Sequence, residues 1–96
     1  EPSVLTVRDL TLNLAELTVA YGDKQEEPTR NEMRILACLM QRRMCTREEI
    51  IEELWKDSLY IDDNTLGVNI SRLREKLKRL GADDYIRTVR GVGYRV

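Results

Sequence analysis

The 96-residue sequence contains no histidine and only two cysteines, Cys38 and Cys45. Without histidine, no nucleophile–base pair is visible, and a zinc site would have to rely on carboxylates and two unpaired thiols. The cysteines lack CxxC spacing and are too few for a disulfide framework, so we expect free thiols, as in a reducing cytoplasm. We predict that the chain is not an enzyme and has no metal site and no cofactor.

Long apolar runs and glycine-rich phosphate loops are also missing. No apolar run approaches the ~18 residues that span a bilayer, and no secretory signal pattern opens the chain. The segment "RGVGYR" superficially resembles a nucleotide-binding glycine pattern, but it lies between two predicted strands, where no helix N-terminus is available to a phosphate. The start at Glu1-Pro2 is typical of a linker end, so we expect a fragment of a longer protein.

The charge is distributed unevenly along a chain whose formal net charge is only −1. Residues 1–63 carry eight Lys/Arg against 14 Asp/Glu, whereas residues 64–96 carry eight against three. A domain that binds a polyanion needs to be basic only where it touches its partner. A solvated basic helix would give the same charge run, so this observation leaves both interpretations open.

The first 28 residues predict a small antiparallel sheet. Three β-like runs occupy 4–7, 10–14 and 17–21, and turn residues separate or end them. A fourth run, 25–28, is polar and closes on a proline, as an edge strand does. The length of the chain fits one small domain with a single core.

Two capping-box signatures predict the first two helices. A threonine is followed three residues later by a glutamate at Thr29–Glu32 and again at Thr46–Glu49. We expect a short link over residues 42–45 between these helices. The predicted core residues are Met33, Leu36, Ala37, Met40, Ile50, Ile51 and Leu54, with Trp55 as a further candidate.

The segment "IDDNTLGVNISRLREKL" predicts a third helix that begins near Asp63 and ends at Gly81. Its buried stripe is formed by Leu66, Ile70, Leu73, Leu77 and Leu80. The residues that face away from this stripe are Asn64, Thr65, Val68, Ser71, Arg72 and Glu75. Amides, guanidinium groups and aliphatic side chains are the groups that read base edges in a major groove. An outward valine is useful there, although a stray surface valine would give the same pattern.

Two further strands, 85–90 and 94–96, are predicted around a hairpin tip at Gly91-Val92-Gly93. Arg90 precedes the tip, and Arg87 and Arg95 are close in sequence. This places a cationic hairpin after a helix-turn-helix. A narrow A·T-rich minor groove attracts an inserted arginine, so Arg90 is a candidate for such a contact.

The segments "DDNTLGVNISRLREKL" and "IRTVRGVGYRV" resemble the C-terminal winged-helix effector domain of OmpR/PhoB-type response regulators. The resemblance covers nearly the whole chain. It implies an α+β fold over residues 1–96: a winged helix-turn-helix with an N-terminal four-stranded antiparallel sheet, three helices and a C-terminal β-hairpin wing. The segment "YIDDNTLGVNISRLR" is most similar to the sequences of regulators that respond to cell-envelope stress and antimicrobial peptides.

The resemblance also implies the roles of individual residues. For the recognition helix it indicates major-groove contacts at Thr65, Val68, Asn69, Ser71 and Arg72, beside the outward Asn64. For the DNA backbone it indicates Arg47, Trp55, Arg74, Thr88 and Tyr94, with Arg90 at the wing. The loop after the second helix, with Ser58, Leu59 and Tyr60, matches a segment that can touch RNA polymerase, and we expect Leu59 and Tyr60 to be exposed there. Asn64, Gly67 and Asn69 depart from residues common in the family, so base preferences cannot be transferred.

The predicted function is sequence-specific binding of double-stranded DNA for transcriptional regulation, as the output domain of a two-component response regulator in the bacterial cytoplasm. The implied partners are promoter DNA with tandem half-sites, RNA polymerase, a second copy of the protein and a sensor histidine kinase that phosphorylates an N-terminal receiver domain. Two alternatives stay open: a winged helix that binds a protein, and the DNA-binding domain of a membrane-fused receptor-type regulator.

Overall fold

The computed structural model describes residues 3–96, so the linker expected at Glu1-Pro2 lies outside the described residues. Seven strands and three helices follow one another along this part of the chain. They are β1 (Val4–Val7), β2 (Leu10–Asn13), β3 (Thr18–Tyr21), β4 (Lys24–Glu26), α1 (Arg30–Arg42), β5 (Met44–Thr46), α2 (Arg47–Lys56), α3 (Asp63–Leu80), β6 (Arg87–Val89) and β7 (Gly93–Arg95).

The N-terminal sheet is an antiparallel meander in the order β1-β2-β3-β4. Leu10, Leu12 and Val19 are fully buried on one face, with Leu12 directly opposite Val19. Polar residues alternate with them along β2, as expected for a sheet with one face on the core. The predicted four-stranded antiparallel sheet is confirmed.

Both predicted capping boxes are present. Thr29 Oγ1 accepts a hydrogen bond from the Glu32 backbone N–H at 3.2 Å, and Glu32 Oε1 accepts from the Thr29 N–H at 2.9 Å. Thr46 and Glu49 form the same pair of bonds at 3.1 and 2.8 Å. Each box satisfies two N–H groups, which fixes the starts of α1 and α2.

The core lies between the sheet and the three helices. α1 is buried along most of its length, from Met33 to Met40, and α2 buries Ile50 and Leu54. Trp55 is exposed, so the prediction that it belongs to the core is wrong. It lies one residue beyond Leu54, about 100° around the helix from the buried stripe, and its indole N–H donates to the Ile61 carbonyl at 3.2 Å.

The link predicted between α1 and α2 contains a strand, which is a correction. β5 pairs with β7, so that Cys45 lies opposite Tyr94 and Met44 opposite Arg95. The second sheet therefore has three strands in the order β5-β7-β6. The partner strand lies almost 50 residues further along the chain, so nothing local to the link indicates the pairing.

The third helix begins and ends as predicted. Asp62 caps it by accepting from the Thr65 N–H at 2.8 Å, and Gly81 ends it in the left-handed conformation with φ +100°. Its buried residues include the predicted stripe, namely Leu66, Ile70, Leu73, Leu77 and Leu80. None of the helices within residues 3–96 is long and apolar enough to cross a membrane.

The terminal hairpin is shorter than predicted, and its tip lies one residue earlier, at 90–92. The turn is closed by a hydrogen bond from the Val92 N–H to the Val89 carbonyl at 3.0 Å, and Gly91 has φ +73°. Gly93 belongs to β7 instead, where a Cβ atom would lie 2.1 Å from the Cys45 carbonyl oxygen. Glycine is required there because β7 and β5 approach closely. The architecture is the predicted winged helix-turn-helix.

Candidate nucleic-acid interface

The outward face of α3 carries side chains that can read base edges. The exposed residues on this face are Asn64, Thr65, Val68, Ser71, Arg72 and Glu75. Val68 is 48% exposed and borders a shallow depression formed with Ser71, Arg72, Arg74 and Glu75. The face therefore offers an amide, two hydroxyl groups, an aliphatic group and a guanidinium group along three turns of one helix.

Asn69 differs from the other residues predicted on this helix. Its side chain is turned towards the helix, where Nδ2 donates to the Thr65 carbonyl at 2.8 Å, and the residue is only 8% exposed. Its amide nitrogen is already engaged within the free domain. A contact between Asn69 and a base stays a prediction and would require this side chain to rotate.

Tyr94 contacts two arginines, Arg47 at the start of α2 and Arg74 on α3. This tyrosine is buried on β7, and the guanidinium carbons of Arg47 and Arg74 lie 5.7 and 5.6 Å from the centre of its ring. Arg47 also donates from Nη1 to the Tyr94 hydroxyl oxygen at 2.6 Å. Cation–π attraction orients both arginines, and the hydrogen bond further holds Arg47. Within residues 3–96, Arg74 has no carboxylate partner.

Each arginine also connects two elements. Arg74, on α3, donates to the Ile86 carbonyl at 3.2 Å and to Thr88 Oγ1 at 2.7 Å, which joins the recognition helix to the hairpin. Arg47, at the start of α2, donates from Nε to the Asp63 carboxylate at 3.2 Å and from Nη2 to the Asp63 carbonyl at 2.8 Å. Burial opposes the charge on Arg47, but Tyr94 and Asp63 outweigh it and raise the pKa of this guanidinium further.

The hairpin adds cations to the same region. Arg90 is exposed at the tip, and Arg87 and Arg95 face each other across β6 and β7. Within residues 3–96, no carboxylate oxygen lies within 4.0 Å of the side-chain nitrogens of Arg72, Arg87, Arg90 or Arg95. Like charges directly opposite each other destabilise a sheet in water, whereas a bound polyanion would neutralise them.

The loop between α2 and α3 is exposed only in part. Tyr60 is 72% exposed and its ring contacts Trp55 edge-on, with 5.8 Å between the ring centres; Ser58 is exposed as well. Leu59 instead packs against the core, so the expectation that it is exposed is wrong. Its N–H donates to the Leu54 carbonyl at 2.9 Å, which turns the side chain back towards α2.

Sequence reasoning missed the contact between Asp63 and Arg47. In the sequence, the Asp62-Asp63 pair indicates only capping and dipole stabilisation at the start of α3. The two partners are 16 residues apart and lie on different helices. No periodicity or capping pattern relates them, so only the packing of α2 against α3 reveals the pair.

Comparison with known proteins shows the family to which the chain belongs. A family model described as "Transcriptional regulatory protein, C terminal" matches residues 23–96. The response regulator protein GraR of Staphylococcus aureus (strain MRSA252) is 38% identical over 96 residues, which cover 98% of this chain and 43% of that protein. The heme response regulator HssR of Staphylococcus aureus (strain JH9) is 40% identical, with the same coverage.

A solved structure has the same fold at similar identity. The C-terminal domain of the nisin resistance regulator NsrR, described as a lantibiotic response regulator, superposes with a TM-score of 0.84 at 40% identity, covering 95% of this chain and 94% of that one. The present chain spans less than half the length of the curated relatives it matches. It belongs to the family of C-terminal DNA-binding domains of OmpR/PhoB-type transcriptional regulators, a family of regulators and not of enzymes.

Proposed function

We propose that this domain binds promoter DNA sequence-specifically by placing α3 in the major groove and the β6–β7 hairpin in the adjacent minor groove. The observation that carries the proposal is the exposed face of α3, which includes Arg72, together with Arg90 at the hairpin tip; neither arginine has a carboxylate partner within residues 3–96. Free guanidinium groups next to hydroxyl, amide and aliphatic side chains combine phosphate attraction with base reading. An apolar partner surface would not require these cations.

Base contacts are proposed for the first three turns of α3. Arg72 suits guanine or a phosphate, and Val68 suits the methyl group of a thymine. The other proposed contacts on this face are Asn64, Thr65, Ser71 and, after rotation of its side chain, Asn69.

Backbone contacts are proposed for the residues around Tyr94. Arg47 and Arg74 are held by the tyrosine ring, and Thr88 lies on the adjacent strand, hydrogen-bonded to Arg74. These contacts would fix the orientation of the domain without reading sequence. Trp55 is a further proposed backbone contact, since its ring is exposed beside the start of α3.

We further propose that the domain is the output half of a two-component response regulator in the bacterial cytoplasm. GraR and HssR, both named response regulators, extend well beyond the matched segment. In this arrangement a receiver domain precedes residues 1–96, a sensor histidine kinase phosphorylates it, and two copies occupy tandem half-sites. RNA polymerase is the proposed partner of the loop that contains Ser58 and Tyr60, beside the inward-packed Leu59.

The proposed class of signal is damage to the cell envelope by antimicrobial peptides. Its support is the likeness to NsrR, whose structure is described as that of a lantibiotic response regulator. HssR is described as a heme response regulator at the same identity, so the DNA-binding domain alone does not determine the signal.

Selection of bound duplexes from a random DNA pool tests the proposal. We expect an enriched motif made of two half-sites separated by about 10–11 bp, one turn of the double helix. Binding of the selected duplex and of a scrambled duplex is then compared over a salt series. A winged helix that serves only protein binding would enrich no motif, and its DNA binding, if any, would not distinguish the two duplexes.

A further inference from the structure

Asp63 is an acidic residue placed where a DNA-binding surface needs cations. It is the first residue of α3, and its side chain is 72% exposed. Through its carboxylate and its backbone carbonyl it accepts two hydrogen bonds from Arg47, at 3.2 and 2.8 Å. One residue thus holds a guanidinium group that is proposed to contact the DNA backbone.

The donors of Arg47 are largely used within the free domain. A guanidinium group has five N–H donors. Three of them are engaged: one by the Asp63 carboxylate, one by the Asp63 carbonyl and one by the Tyr94 hydroxyl oxygen. Arg72 and Arg90, in contrast, have no carboxylate partner among residues 3–96. Among the arginines proposed to contact DNA, Arg47 is therefore the one that has a carboxylate partner within residues 3–96.

We propose that Asp63 competes with DNA phosphates for Arg47, which keeps this cation from phosphates in non-specific complexes and lowers the affinity of the domain for DNA. This inference rests on the proposed function. Phosphate contacts supply essentially all of the affinity for non-specific DNA, so withholding one cation weakens that binding directly. On a specific site, base contacts from α3 fix a phosphate beside Arg47, and this fixed phosphate displaces the carboxylate. Non-specific DNA shifts along the surface and offers no such fixed competitor.

Asp63→Asn separates the charge of Asp63 from its hydrogen bonds. The amide oxygen can still accept from Arg47, and the backbone carbonyl is unchanged, so the position of Arg47 is retained. For a random-sequence duplex we expect affinity to rise about threefold to fivefold, the scale of an exposed ion pair. The slope of log affinity against log salt should steepen by about 0.9, the value for one additional phosphate. Affinity for the selected duplex should rise by at least as much, because the wild type has to break the ion pair to form that complex.

Asp62→Asn is the matched control. It removes the same charge from the neighbouring residue at the same helix end, but Asp62 bonds the Thr65 N–H and is not an Arg47 partner. Asparagine is also a good N-cap, so α3 keeps its start. If the carboxylates act only by general repulsion of DNA, both variants will raise non-specific affinity equally, which would overturn the proposal.

A second control tests whether Arg47 mediates the effect. In an Arg47→Ala background, Asp63→Asn should leave non-specific affinity and its salt slope unchanged, because no cation remains to be released. Thermal unfolding of each variant verifies the fold. An unchanged or lower non-specific affinity of folded Asp63→Asn contradicts the proposal even when the wild type binds its selected site. A wild type that shows no sequence preference refutes the proposed function, whereas the effect of Asp63 on random duplexes is still measured.

Discussion

Two regions of this domain contain arginines whose charges are treated differently: in one region carboxylates pair with them, and in the other they have no carboxylate partner within residues 3–96. Between α1 and α2, the side-chain nitrogens of Arg34, Arg42 and Lys56 lie 2.8, 2.8 and 3.2 Å from the carboxylate of Glu53. On α3 and the hairpin, Arg72 and Arg90 have no carboxylate partner within residues 3–96. Pairing, and not the number of cations, distinguishes a surface that stabilises the fold from one available to a ligand.

The two regions also differ in what holds their arginines in place. Carboxylates hold Arg34 and Arg42, whereas Arg74 is held by a tyrosine ring, a carbonyl and a hydroxyl group. Neutral partners orient a guanidinium group without placing a negative charge beside it, so its positive charge is not offset. Arg47 is intermediate because it has both Tyr94 and Asp63 as partners.

The largest expected effect on DNA affinity is on α3, where Arg72 lies. Arg72→Ala should weaken binding to the selected duplex by roughly 1–3 kcal/mol, the range for an arginine on a base edge. Stability should be unchanged because Arg72 is exposed and has no carboxylate partner among the described residues. Binding titrations and thermal unfolding measure the two quantities. Arg34→Ala is the control, with lowered stability and unchanged affinity; the reverse pattern would exchange the roles of the two regions.

A smaller effect, on stability, is expected at Glu53, the carboxylate that pairs with the cations between α1 and α2. Glu53→Gln should lower the free energy of unfolding by about 1–2 kcal/mol, since charge-assisted hydrogen bonds to an inward-facing carboxylate are lost. Denaturant unfolding at neutral pH measures this change. DNA affinity should not fall, and a fall comparable with that of Arg72→Ala would mean that this region contacts DNA.

The same variant gives a dependence on pH. Burial opposes ionisation of Glu53, but Lys56, Arg34 and Arg42 outweigh it and lower the pKa of the carboxyl below its ordinary 4.5. A lowered pKa in the folded state stabilises the fold above pH 4.5, and this contribution is lost as the pH falls through the folded-state value. The stability difference between wild type and Glu53→Gln should therefore shrink in acid. A difference that stays constant down to the folded-state pKa would exclude the ion pairs as its cause.

At the hairpin we expect an effect of about 1 kcal/mol or less that depends on the DNA flank. Arg90→Ala should reduce affinity most for a site with an A·T-rich flank, where a narrow minor groove attracts arginine. The salt slope should fall by about one phosphate equivalent. Binding to A·T- and G·C-flanked versions of one site, at several salt concentrations, measures both. Equal losses on both flanks with an unchanged slope would remove Arg90 from the interface.

The smallest expected effect on DNA binding is in the loop after α2. Tyr60→Ser should leave affinity unchanged and alter transcription from a target promoter, since Tyr60 is exposed on a loop with no cation of its own between Asp57 and Asp62. Leu59→Ser is the contrasting variant, because Leu59 packs against the core and its loss should lower stability. A matching loss of affinity and transcription in Tyr60→Ser would argue against a separate role for the loop.

Local signals predicted much of this fold. The two capping boxes, the start of α3 near Asp63 and its end at Gly81 depend on residues within one or two turns of each other, and all were found. β5 was missed because its ladder partner β7 is distant in the chain. Trp55 and Leu59 were misplaced because burial next to a helix end depends on where the following loop turns.

The sequence predicted where some residues of the candidate site lie but not which contacts they make. Helical periodicity placed Val68 and Arg72 on the outward face of α3, as the structure has them. The engagement of Asn69 by its own helix and the pairing of Arg47 with Asp63 were not predictable. Both depend on side-chain rotamers and helix packing, which no spacing rule encodes.

The proposed function places the DNA on α3 and the hairpin and not on the cations around Glu53. The most direct measurement is a titration of the isotope-labelled domain with the selected duplex, followed by backbone and arginine Nε–H chemical shifts. We expect the changes to concentrate on residues 63–75, the start of α2 and the hairpin tip, while the signals of Arg34 and Arg42 stay in place. Changes concentrated on Arg34, Arg42 and the α1–α2 surface, with α3 unaffected, would contradict the account.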